Sequence, residues 1–259
     1  MNKNFALGVL GIIFFTSCIT LLQKPKLTEL ASPGSTSLDK SVLELRDEQQ
    51  RMQFSILEST PDFGFSNLVA DWTFLNFLQY FGDTSARAIA GYQLSPNFFN
   101  TIVKKDPLFI ESYLYLTTSV SIHAGRPEEA IQQMSTGLEA MSPTLPATSY
   151  LVWRYKGIDE LLFLGDGEAA QQSFLNAALW AEKSPDPNAG SVAEVSRRTA
   201  DFLEDNSAST SAQISSWAQV LVRAVDEYTI RLATERIEAL GGEIVVSSSG
   251  RVSIRHKAD

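Results

Sequence analysis

The chain has 259 residues, a net charge of −9 and 44% hydrophobic side chains, the make-up of an ordinary globular protein with ample core. Its acidity gives no support to nucleic-acid binding. A single cysteine excludes an intrachain disulfide framework and a thiolate metal site, and two histidines, His123 and His256, leave little for a metal centre or a catalytic triad.

The first segment in chain order is an apolar run from Phe5 to Leu22, with Lys3 before it and Lys24 and Lys26 after it. A short basic stretch followed by an apolar one is the pattern of an export signal or signal anchor. Within it, Phe15-Thr16-Ser17-Cys18 resembles a bacterial lipobox in which Phe15 stands where Leu is usual. Two anchoring modes follow. One is an uncleaved helix of about 18 residues, the lower end of bilayer-spanning length. The other is lipidation of Cys18. Residues 23–40, rich in Pro, Ser, Thr and Gly, read as a flexible linker. The expected location is at a membrane, with the body exported to a periplasm or a thylakoid lumen.

The body, residues 41–242, reads as helical. Val42, Leu45, Met52 and Ile56 recur at helical steps from Ser41 to Ser59, and Thr60-Pro61-Asp62 breaks the pattern. Asp62-Phe63-Gly64 matches a kinase tripeptide, but the other kinase motifs are missing, so it is a chance match. Ser66 is placed to cap a helix that ends at Gly82 and carries five aromatics between Trp72 and Phe81. That helix is apolar on every side, which predicts that neighbours cover most of it. Tyr92 to Asp106 reads as the next helix.

Two segments then share one layout. Gly125 and Gly165 each stand five residues before an alanine, Ala130 and Ala170. Met134 and Phe174 follow four residues later, then the small Gly137 and Ala177, and Pro143 and Pro185 close the units. The glycines are predicted to form tight turns with positive φ. Helices are predicted over 108–124, 127–141, 148–164 and 166–183, with Asp166 as a cap. Further helices are predicted at 192–204 and 212–240, the latter broken near Asp226. Residues 243–259 read as a small β-hairpin around Ser247–Gly250, then a charged tail.

The repeated layout resembles the tetratricopeptide repeat, a helix pair of about 34 residues. The Asp71-Trp72…Gln79-Tyr80-Phe81-Gly82 segment likewise resembles the opening helix of bacterial envelope proteins with divergent repeats of this kind. The resemblance implies an all-α fold, a solenoid of antiparallel helix pairs, and implies protein binding without catalysis. Its first helices line the concave face, so Tyr113, Tyr115, Trp153 and Tyr155 become candidate partner-binding aromatics, with Lys156 and Asp159 as polar neighbours.

The expected function is a membrane-tethered interaction module, an adaptor, assembly factor or accessory subunit whose partner is a membrane-associated protein. No cofactor is expected. An exported hydrolase using carboxylates and a structural envelope lipoprotein are the alternatives. Asp71, amid Trp72, Phe74 and Leu75, is a candidate acid or base, although a carboxylate there more often faces outward. His123, at a predicted helix end, suits interaction with the last carbonyls. No phosphate loop, dinucleotide fingerprint, zinc spacing, EF-hand loop or nucleophile elbow is present.

Overall fold

The computed structural model describes residues 14–17, 19–21, 24, 40–61, 63–205, 210–246 and 252–256. Cys18, most of the predicted anchor and nearly all of the predicted linker lie outside them. Residues 1–39 form a unit of their own, in which 14–17 and 19–21 are helical. Among the described residues no helix is long and apolar enough to cross a membrane.

The second unit, Lys40–Asp259, is mostly helical. In order it contains α1 (Lys40–Ser59), α2 (Ser66–Gly82), α3 (Thr84–Ala90), α4 (Ser95–Lys105), α5 (Ile110–Leu116), α6 (Pro127–Leu138), α7 (Tyr150–Asp159), α8 (Gly167–Lys183), α9 (Ala189–Asp205), α10 (Thr210–Arg223) and α11 (Glu227–Ala239). Two π-helical turns interrupt the series: π1 (Thr117–His123) continues α5 and π2 (Glu160–Leu164) continues α7. Strands β1 (Gly242–Val246) and β2 (Val252–His256) pair antiparallel, Ile244 opposite Ile254.

Local chemistry explains most boundaries. Asp166 and Asp226 sit at the cap positions of α8 and α11, where their carboxylates accept the amides of Ala169 and Thr229 at 2.9 Å each. Pro127 opens α6, where a missing N–H costs nothing. Other boundaries differ from expectation. Ser66 is the first helical residue of α2, and Phe65 occupies the cap without a side-chain bond. Gly82 stays helical, and Asp83 ends α2 instead. Its carboxylate also accepts the Ala86 amide at 3.0 Å, so one residue stops α2 and starts α3. The helix predicted from Tyr92 to Asp106 is the proline-opened α4, which starts at Ser95, and α3 is a short helix before it that the sequence reading did not separate.

From α2 to α9 the helices pack mainly on near neighbours in sequence: α2 on α4, α4 on α5 and α6, α6 on π1 and α7, α7 on α8, and α8 on α9. The main core runs from Phe54 through α2, α4, α5 and α6 to Val152. It is aromatic at the α2–α4 contact, where Phe77 meets Phe99 edge-on with ring centroids 4.7 Å apart. Between α8 and α9 two smaller clusters include Ala181 with Ala193 and Ala170 with Ala200, small enough to let backbones approach.

The two π turns end alike. Ser119 donates from Oγ to the Tyr115 carbonyl at 2.8 Å and Thr118 from Oγ1 to Leu114 at 3.3 Å. In π1 such hydroxyls compete with the α-helical ladder for carbonyls, and widened turns form where it is disturbed; π2, which has no Ser or Thr, is not explained this way. Gly125 (φ +66°) and Gly165 (φ +68°) follow, in the left-handed region predicted for them.

Both turns face the C-terminal helices. α10 packs on π1 and π2 together. The Gln213 side chain lies where a Cβ on Gly165 would project, and Leu232 and Thr229 face Gly125. The turn at Gly91 meets the same helix pair, through Asp226. Trp217 locks the arrangement by donating from Nε1 to the Phe163 carbonyl at 3.1 Å, with its ring edge-on to Phe163. Gln93 adds hydrogen bonds to the Ala124 carbonyl and the Thr229 hydroxyl.

Candidate functional site

α5 with π1 and α7 with π2 carry the residues that the sequence nominated. Tyr113 is a correction. It has no exposed surface, and its hydroxyl donates to the Pro107 carbonyl at 2.8 Å. Room for that ring comes from Gly137, where a Cβ would stand 1.8 Å from the hydroxyl oxygen. The small residue of the repeated layout is thus a seat for Tyr113, which is a core residue and not a partner contact.

The other three rings are half-buried. Tyr115 meets Phe74 and Phe77 edge-on, with centroids 5.3 and 6.0 Å away. Trp153 meets Trp180 edge-on at 5.8 Å, and its Nε1 is buried without a hydrogen-bond partner. Burial raises the Tyr155 hydroxyl above its ordinary pKa, and the charge of Arg154 partly offsets this. Trp153 and Tyr155 are alike in being partly buried, so neither is sealed in the core.

Asp159 is also a correction. It is fully buried and offers no rim contact. Its Oδ2 accepts the Ser121 hydroxyl at 2.5 Å, which ties the α7–π2 junction to the middle of π1. Oδ1 has no hydrogen bond of normal geometry, although the Thr117 hydroxyl is near enough to favour the anion. Burial is the dominant influence and raises the carboxyl to about 7; Ser121 and Thr117 pull it down and the charge of Glu160 pushes it up.

Glu160 is buried beside it in a closed network. It forms an ion pair with Lys156 and accepts the Ser173 hydroxyl at 2.6 Å. Lys156 donates a longer bond to Ser173, and Arg154 donates to Ser196 at 2.8 Å. Lys156 is therefore no rim residue either, because its charge is spent on Glu160. These carboxylates stand adjacent in sequence inside the packing, and neither lines a described cleft.

His123 packs its ring on Tyr92 (centroids 4.6 Å) and Phe81 (5.2 Å). Burial lowers its pKa and the charge of Arg223 lowers it further, so a neutral imidazole fills this aromatic corner. Packing, more than the helix dipole, explains the residue. Asp71 is exposed on α2. Among the described residues no group of three or more His, Cys, Asp or Glu is arranged to hold a metal ion.

The residues that stand out were not nominated. α2 buries Ala70, Thr73, Phe77 and Tyr80 on one side only. On the other, Phe65, Leu68, Trp72 and Leu75 are exposed to 63%, 61%, 63% and 54%. Steps of three and four residues put these on one stripe. Phe63, at φ +49°, extends it beyond the helix start and is 85% exposed. The expectation that neighbours cover most of α2 is overturned: α4 covers one face and this stripe faces outward. Beside α2, α5 exposes Leu114. The signal was in the sequence, because a helix apolar all round has more greasy surface than one neighbour can bury.

No protein-family model, no curated protein and no solved structure matches the chain.

Proposed function

We propose that this chain is a helical adaptor that holds a protein partner at a membrane. In this reading α2 with α4, α5–π1 with α6, and α7–π2 with α8 are successive units of a tetratricopeptide-like solenoid. The sequential packing and the matched glycine turns support it. The apolar N-terminal run, as a signal anchor or a lipoprotein signal at Cys18, supplies the tether and raises the local concentration of membrane-bound partners.

The observation that carries the binding role is the uncovered stripe of α2. Large contiguous apolar surface with a central Trp is what interfaces use as an anchor. From Phe65 to Leu75 the stripe spans about 15 Å, or three helical turns, the footprint of an amphipathic helix laid against it. Asp71 is exposed beside it and the chain is acidic overall, so the partner helix is expected to pair an apolar face with a basic flank.

The test is position-specific photo-crosslinking of the full-length protein in its native membranes. A crosslinker at Leu75 should give one dominant protein adduct, and a crosslinker at exposed Gln172 on α8 should not. Trp72→Glu, tested with the crosslinker at Leu75, should abolish the adduct without altering the melting temperature. Identical adducts from both positions, or none from Leu75, would sink the proposal.

A further inference from the structure

α1 presents two stripes of the same period on opposite sides. Leu43, Asp47, Gln50, Phe54 and Leu57 follow one another at steps of four and three residues. They are buried or half-buried against the body, where α1 packs on α3 and α4. Phe54 meets Phe98 edge-on with ring centroids 4.7 Å apart, and Asp47 pairs with Arg87 at 3.7 Å. On the far side Val42, Leu45, Gln49, Met52 and Ile56 follow at steps of three and four. All five are exposed, the four apolar ones from 40% to 61%. No aromatic ring interrupts this stripe, unlike that of α2.

The spacing is that of a coiled-coil seam, with Val42, Gln49 and Ile56 at the a positions of a heptad and Leu45 and Met52 at the d positions. β-Branched residues at a with Leu at d favour two parallel strands, and a single polar residue at an a position fixes register. Gln49 suits a meeting with itself, because one amide can donate its N–H to the oxygen of the other. In this register Leu43, Gln50 and Leu57 fall at b, and Asp47 and Phe54 at f. These are the outer positions of a two-stranded coil, so the body attached to each α1 lies outside and leaves the seam open. Parallel pairing sets Glu48 of one copy, at g, beside Gln53 of the other, at e, and no like charges meet there. A lipid surface is the other taker for an apolar helix face. Helices that lie on membranes carry a basic polar face, whereas α1 has three bases against four acids.

We propose that α1 pairs with α1 of a second copy of this chain as a parallel two-stranded coiled coil, which makes the protein a dimer. From Val42 to Ile56 the seam runs about 21 Å. Free helices need about three heptads or more to hold such a seam. α1 is already ordered against the body, so pairing does not have to form the helix. The tether proposed above adds a second contribution. It brings two chains into one membrane with the N-termini of both α1 helices on the same side, and raises their effective concentration.

Disulfide formation by the full-length protein in native membranes tests this, with the wild type, whose sole cysteine is Cys18, as background. Gln49→Cys should give an intermolecular 49–49 disulfide, identified by peptide mass, because facing a positions bring Cα atoms within the roughly 4.4–6.8 Å that the bond spans. Glu44→Cys, exposed at position c, should give about tenfold less or lower. Leu45→Glu added to Gln49→Cys should cut the yield about tenfold or more, because two unpaired carboxylates would enter the seam. Trp72→Glu added to Gln49→Cys should leave the yield unchanged, which separates this pairing from the partner surface of α2. Co-expressed Gln49→Cys and Met52→Cys chains should give 49–49 and 52–52 disulfides, and a 49–52 bridge in their place would overturn the parallel order. No 49–49 disulfide, an equal yield from Glu44→Cys, or no effect of Leu45→Glu would overturn the pairing. Loss of the disulfide in Trp72→Glu would move the contact to α2 and overturn it as well.

Discussion

Ser121 donates a 2.5 Å hydrogen bond to Asp159 across the seam between two helix pairs, and neither residue has exposed surface. One residue lies inside a π turn and the other directly precedes one. A buried carboxylate is stable as an anion only when donors surround it. Here Ser121 provides the one good bond, so a proton competes with it near neutral pH.

The first prediction concerns that proton. Asp159 has a folded pKa of about 7 against an ordinary 3.8, raised chiefly by burial. A raised folded pKa means that the folded state binds the proton more tightly than the unfolded chain does. The stabilisation is fully present below about pH 4 and is lost as pH rises through about 7, at up to roughly 1.4 kcal/mol per pH unit. Denaturation measured from pH 4 to 8 should show that fall superimposed on other titrations. Asp159→Asn should flatten it and be the more stable protein at pH 8. An equal slope in both proteins would rule this out.

Gly137→Ala should destabilise, against the usual trend. In an ordinary helix interior the change gains about 1 kcal/mol. In α6 the new methyl would stand 1.8 Å from the Tyr113 hydroxyl and 2.6 Å from its ring carbon. Overpacking of this sort costs about 1–3 kcal/mol. Tyr113→Phe removes the nearer atom together with a hydrogen bond worth about 1 kcal/mol. The double variant should therefore be more stable than the sum of the singles predicts, and additive melting shifts would contradict the contact.

Gly165→Ala carries two penalties that a double variant separates. Positive φ costs an alanine about 1–2 kcal/mol. The methyl would also lie 2.3 Å from the Gln213 amide. Gln213→Ala in the same chain should relieve the steric part and leave the backbone part. Chemical denaturation of the four proteins checks this, and full rescue would show that the backbone is unstrained.

Trp217→Ala should cost about 3–5 kcal/mol, because a large, fully buried ring is removed. The ring also ties α10 to the Phe163 carbonyl, so amide exchange should accelerate over 210–239 before it does in α4. Uniform acceleration along the chain would instead mean that the C-terminal pair unfolds with the rest.

Helices and turns were the legible part of this fold. Asp166 and Asp226 announce their helices by local chemistry, and Gly125 and Gly165 announce their turns by matched spacing. The π turns were not legible, because α and π geometries use the same residues and differ only in which carbonyl each amide finds. Asp83 went unread because its backbone N–H ends α2 while its carboxylate starts α3. The candidate site was legible in class and not in position. Tyr113 and Trp72 are both aromatic residues on helices of similar pattern, yet one is sealed in the core and the other is open. Periodicity identifies a face; what lies against that face is decided by residues far away in sequence.

The row of turns on the C-terminal pair has an evolutionary consequence. Stacks in which each unit touches only its neighbours can be lengthened by copying a unit. In this chain Gly91 meets Asp226, the cap of α11, Gly125 meets Leu232, Thr229 and Val220, and Gly165 meets Gln213, all within the span of α10 and α11, which have 14 and 13 residues. Helices of that size span about 20 Å. An inserted copy between Gly125 and Gly165 would carry the last turn beyond the reach of Gln213, strand Trp217 without the Phe163 carbonyl, and uncover apolar surface at a turn with no mate. If the helix pairs are the repeat units proposed above, their number is set from the C-terminus, by a gauge of fixed length.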